Sequence, residues 1–129
     1  MKHYITETEL LELKRIVNEE INMYDYNTPY EFIKTWIKNH CRNTVWSDKK
    51  SSRTPCCTTY GLKHAIERDY PYKDKNSKNW EGYGYCANNW VKCALLDLGY
   101  ELKDDYKLVT FENMINNAVN YYYRKINNE

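Results

Sequence analysis

Apolar side chains recur at steps of three and four from Leu10 onward, through Leu13, Val17, Ile21 and Tyr24, with Leu11 and Ile16 widening the stripe. That spacing predicts an amphipathic helix. Glu12, Arg15, Glu19 and Asn22 fall opposite it, and Glu19 and Glu20 read as solvated surface. Thr6-Glu7-Thr8-Glu9 ahead of the stripe fits a capping box. Asp25-Tyr26-Asn27 breaks the pattern. Thr28-Pro29-Tyr30-Glu31 then starts a second helix, with Thr28 as cap and Pro29 at the first helical position. It runs to about Cys41, with Phe32, Ile33, Trp36, Ile37 and His40 on one face.

Residues 42–55 read as a loop, with Val45 and Trp46 its only large apolar groups. A third helix begins at Thr58 or Thr59, uses Tyr60, Leu62, Ala65, Ile66 and Tyr70, and stops at Pro71. A polar loop from Tyr72 to Tyr85 follows. Asn88 caps a fourth helix whose stripe is Trp90, Val91, Ala94, Leu95 and Leu98, and Gly99 sits where a left-handed C-cap belongs. Residues 107–109 read as a short strand paired with 101–103. Thr110 caps a last helix carrying Phe111, Met114, Ile115, Ala118, Val119, Tyr122 and Ile126 inward. The expected architecture is mainly α: one compact domain over residues 1–129, about five helices, with room for one short β hairpin.

Length and composition fit that expectation. A chain of 129 residues with 42% hydrophobic and 16% aromatic side chains has enough apolar surface for one core and excludes wholesale disorder. No apolar run reaches the roughly 20 residues that cross a bilayer, and Met1-Lys-His-Tyr-Ile-Thr-Glu opens no signal peptide. The expected location is the cytoplasm, away from membrane. Asn, Lys and Tyr, with 15, 14 and 14 copies, have A/T-rich codons and point to a low-GC genome. Tyr also suits places where one end of the ring is packed and the other wet.

The formal net charge of +1 conceals an uneven distribution. Residues 1–31 carry net −4, residues 32–78 net +7, and residues 79–129 net −2. A basic middle between acidic ends suits a phosphate-facing patch, an acidic partner, or simply solvated loops.

Candidate chemistry is sparse. Cys41, Cys56, Cys57, Cys86 and Cys93, with His40 and His64, show no C-x-x-C or H-x(3–5)-H spacing, so no metal site is expected. Cys56 or Cys57 precedes a helix N-terminus, which favours thiolate, but His64 falls two turns away. No hydrolase, nucleotide-binding or metalloprotease motif is present. No catalytic residue and no cofactor is assigned.

Binding has more support. Lys63, His64 and Arg68 share one side of the third helix, and Lys49, Lys50 and Arg53 lie just before it. Trp46, Trp80, Tyr83 and Tyr85 offer loop aromatics for stacking. The gap to the fourth helix is too long for a helix-turn-helix. Trp, Tyr and Arg in polar loops are equally the residue types of protein interface hot spots. The candidate binding residues are therefore Trp46, Lys49, Lys50, Arg53, Lys63, His64, Arg68, Trp80 and Tyr83.

Thr59-Tyr60-Gly61-Leu62-Lys63-His64, then Tyr85-Cys86-Ala87-Asn88, then Ala94 through Gly99-Tyr100, resemble the pattern of a family of small uncharacterised proteins. That family is carried by low-GC bacteria, their phages and mobile elements. The likeness covers about residues 56–100. It departs in a longer loop over 71–84 and in a whole final helix where the family often ends in a short strand. The resemblance implies a mobile-element setting, in which small accessory proteins often occlude host defence machinery, including CRISPR effectors. The expected function is a non-enzymatic inhibitor of a host defence nucleoprotein, working in the host cytoplasm. The alternative is a DNA- or RNA-binding regulator using the basic helix 58–70 and the segment 32–78.

Overall fold

Thr6 starts the first helix as its spacing predicts. Its hydroxyl accepts from the Glu9 amide, while the Glu9 carboxylate accepts from the Thr6 amide. The computed structural model describes residues 5–41, 58–73, 81–104 and 108–125. Within them lie α1 (Glu7–Ile21), α2 (Tyr30–His40), α3 (Thr59–Asp69), β1 (Pro71–Lys73), β2 (Glu81–Tyr83), α4 (Asn88–Asp97), β3 (Tyr100–Lys103), α5 (Phe111–Ile115) and β4 (Tyr122–Lys125). The fold is mainly α, with two small antiparallel pairs, β1 with β2 and β3 with β4.

The inward face of each helix follows its apolar period. Leu13, Val17 and Ile21 of α1, Ile33, Trp36 and Ile37 of α2, and Leu62, Ala65 and Ile66 of α3 are buried. All three helices pack on α4, as do α5 and β3. Surrounded in this way, α4 buries every residue from Asn88 to Leu95. A helix enclosed on all sides cannot show a clean amphipathic stripe. Gly99 closes it at φ +86°, in the left-handed region where glycine meets no Cβ penalty.

Several expected caps do other work. The Thr28 hydroxyl donates to the Tyr85 carbonyl at 2.8 Å, and Pro29 takes the cap position of α2 with no side-chain bond. Asn88 does not cap α4. Its amide nitrogen donates to the Asn117 and Val119 carbonyls and to Asn120 Oδ1. Tyr60 turns outward rather than into the core. Within the expected loop 72–85, residues 71–73 and 81–83 pair as strands, Pro71 opposite Tyr83.

The largest correction concerns the last helix, which stops after five residues. A turn over 116–120 then leads into β4, whose partner is β3, with Tyr100 opposite Lys125 and Lys103 opposite Tyr122. The pairing expected for 107–109 does not form at residues 108 and 109; residue 107, like Ile126, lies outside the described residues. Two forces favour the strand. Tyr121, Tyr122 and Tyr123 have high strand propensity and alternate buried, half-buried, buried. The turn before them is gathered around a lysine: Lys92, fully buried on α4, donates from Nζ to the carbonyls of Asn113, Asn116 and Val119 at 2.8, 2.8 and 2.9 Å.

Candidate functional site

The end of α1, the turn after it and the segment entering α4 meet at one surface. Asn27 fixes the turn by donating to the last carbonyls of α1, Glu20 and Ile21, both at 3.0 Å. Residues 26–28 then run beside Tyr85: the Tyr85 amide donates to the Tyr26 carbonyl at 2.9 Å, and the Thr28 amide to the Tyr85 carbonyl at 2.8 Å. Gly84 permits this approach. A Cβ there would lie 2.7 Å from the Tyr70 ring and 2.9 Å from the Tyr26 carbonyl oxygen, closer than packed atoms tolerate.

This backbone arrangement gathers aromatic side chains at the surface. Tyr24 and Tyr26 stack with centroids 5.2 Å apart and planes 22° from parallel. Tyr85 meets Trp90 edge-on at 5.4 Å. Together with Met23, Glu20 and Asn27 they line a cleft of about 200 Å³. Met23, Tyr24, Tyr26, Tyr60 and Tyr85 are 66, 54, 38, 49 and 42% exposed, although most large apolar rings are withdrawn from water in a folded chain.

Lys63 joins α3 to this surface. Its ammonium lies 5.6 Å from the ring centres of both Tyr60 and Tyr85, and 3.4 Å from Glu67 Oε1. His64 Nδ1 stands 3.0 Å from the same oxygen, and its ring meets Tyr60 at 4.6 Å. Glu67 Oε2 accepts from the Cys86 amide at 3.1 Å. Glu67 thus ties α3 to the segment that presents Tyr85.

Of the residues expected from sequence to bind, Lys63 and His64 border this surface, with Lys63 half-buried and ion-paired rather than a plain exposed charge. Arg68 is exposed in the last turn of α3. Tyr83 is placed by its backbone in β2. Trp46, Lys49, Lys50, Arg53 and Trp80 lie outside the described residues.

Sequence reading missed Glu20, which is not plain solvated surface. It is half-buried, and Oε1 accepts from Asn89 Nδ2 at 3.1 Å and Trp90 Nε1 at 2.8 Å. Tyr24 and Tyr60 were also missed because their periodicity reads as core, and Tyr26 because it falls in the break after the first helix. The adjacent exposed aromatics in Tyr24-Asp25-Tyr26 were the available signal.

A second concavity, about 340 Å³, is lined by Lys14, Tyr30, Lys34 and Asp97 among others. Asp97 pairs with Lys14 at 3.2 Å and with Lys34 at 3.1 Å, one carboxylate shared between two ammonium groups. Among the described residues no group of three His, Cys, Asp or Glu side chains is placed to hold a metal, and no helix is long and apolar enough to cross a membrane. No protein-family model, curated protein or solved structure matches this chain.

Proposed function

We propose that the chain is a non-enzymatic binding protein that occludes a host defence nucleoprotein with the face formed by Met23, Tyr24, Tyr26, Tyr60 and Tyr85. The exposed tyrosine cluster carries this reading. Tyrosine gives large contact area with few rotatable bonds and a polar tip, and it is enriched among residues that dominate binding energy. A contiguous exposed aromatic patch on a folded chain marks an interaction surface. The host-defence setting rests on the resemblance of residues 56–100 to small proteins of mobile elements, which is a resemblance of sequence pattern alone. The nucleic-acid reading of α3 is weakened by Lys63, whose charge Glu67 already meets.

Affinity capture from a low-GC bacterial host tests this. Wild-type protein should retain a defined nucleoprotein after nuclease treatment, and a Tyr24→Ala/Tyr26→Ala/Tyr85→Ala variant with unchanged circular dichroism should lose it. Equal retention by both proteins would refute the assignment of this face. Loss of all retained material on nuclease treatment, with steep weakening by salt, would favour the nucleic-acid regulator.

A further inference from the structure

Among the described residues, the half-buried carboxylates Glu20, Glu67 and Asp97 and the buried Glu101 bond to other elements, and the last three pair with a cation. Glu67 has Lys63 and His64, Asp97 has Lys14 and Lys34, and Glu101 has Arg124 at 3.1 Å. Glu20 is the exception. Its partners are the neutral donors Asn89 and Trp90, and among the described residues no cation pairs with it. A carboxylate withdrawn from water without a counter-charge favours a cation strongly.

Glu20 also lines the tyrosine cleft, beside Tyr24, Tyr26, Tyr85 and Trp90. Aromatic faces attract cations through the ring quadrupole. The cleft belongs to the acidic part of the chain, since residues 1–31 carry net −4. Lys63 approaches Tyr85 as well, but Glu67 neutralises it. At about 200 Å³ the cleft is smaller than the roughly 300–1,000 Å³ pockets that hold small molecules, and it suits a single long side chain. A guanidinium fits best, because it is planar enough to lie on a tyrosine ring and presents a fork of donors to a carboxylate.

We propose that this cleft takes an arginine side chain of the bound partner, with the guanidinium against the tyrosine rings and hydrogen-bonded to Glu20. The proposal rests on the reading that this face meets a protein. Its test uses a small probe, so either reading can fail alone.

N-acetyl-arginine amide, titrated into 15N-labelled full chain, should shift the Trp90 indole N–H signal saturably. The neutral isostere N-acetyl-citrulline amide should not. Glu20→Gln retains an acceptor for Trp90 and Asn89 and should weaken arginine binding about tenfold or more. Tyr24→Ala, at an exposed rim position, should weaken it without disturbing the fold. An unchanged arginine affinity in Glu20→Gln, or an equal response to citrulline, would overturn the proposal. Loss of host-protein capture in the tyrosine variants, with no arginine response in the wild type, would leave the binding face standing and remove the arginine.

Discussion

The Lys92 ammonium reaches 2.8 Å from the Asn116 carbonyl, joining the middle of α4 to the residue that ends α5. The same nitrogen takes the Asn113 and Val119 carbonyls and lies 5.7 Å from the centre of the Tyr121 ring. A charge that is fully buried is thus met by three backbone carbonyls and an aromatic ring.

Lys92→Met keeps most of the side-chain volume and removes the donor. Three carbonyls then lose a charged donor at once, although the Val119 oxygen keeps Asn88 Nδ2 and the Asn116 oxygen keeps the Val119 amide. An unsatisfied buried acceptor costs about 1–3 kcal/mol. The variant should lose about 1–3 kcal/mol in urea unfolding and weaken the β3–β4 pairing, seen as faster amide exchange at Leu102 and Tyr123. Wild-type stability would mean that the 116–120 turn holds without the lysine.

That turn also marks where sequence reading stopped working. The starts of α1 and α3, the burial of Leu13, Val17, Ile33, Ile37, Leu62 and Ile66, and the left-handed Gly99 follow from local rules, and the structure shows each of them. Thr28 and Asn88 look from sequence like caps, and nothing in the local pattern singles out Lys92. Each instead bonds to backbone more than twenty residues away, and local patterning carries no trace of such partners. Residues 111–126 fit a helical period and still become a strand at Tyr122, because pairing with β3 outweighs the period. The candidate site was legible only in part. Lys63, His64 and Tyr85 stood out, whereas Glu20 resembled any exposed helix carboxylate.

Charge reversal distinguishes two lysine and arginine positions that look alike in sequence. Lys63→Glu sets a carboxylate beside Glu67 and removes the cation near Tyr60 and Tyr85. It should lower stability by about 1–2 kcal/mol. Arg68→Glu, exposed on α3, should change it by no more than about 0.5 kcal/mol. Chemical denaturation of the two single variants decides, and equal effects would show that the Lys63–Glu67 pair has no energetic role.

Buried thiols set the alkaline limit of the fold. Burial pushes Cys93 up to about 12 and raises Cys86 as well, whereas an unfolded thiol ionises near about 8.5. The unfolded state therefore releases these protons first. Stability from this source is intact below about pH 8.5 and falls as pH rises toward 12, by about 1.4 kcal/mol per unit for each thiol. Urea unfolding at pH 8, 9 and 10 should show the decline, and Cys86→Ala/Cys93→Ala should flatten it. An unaltered slope in that variant would assign the alkaline loss to other groups. At the acid end, burial of Asp97 opposes its ionisation, but hydrogen bonds from Lys34, Lys14 and Tyr30 outweigh it and hold the carboxyl below its ordinary value. That contribution is present above about pH 4 and disappears as pH falls further.

The enclosure of α4 governs the order in which the chain becomes a protein. Its packing partners come from both sides in sequence, and Lys92 and Asn88 donate to acceptors among residues 113–120. On the ribosome, α1, α2, α3 and α4 emerge before those acceptors exist, and a helix buried on every side in the finished fold then stands partly uncovered, with Asn88 and Lys92 lacking those acceptors. Such surface invites association with other nascent chains or with chaperones until α5 and β4 arrive. Residues 108–125 thus act as a closing piece for the core, and the enclosure of α4 is complete only once they are in place.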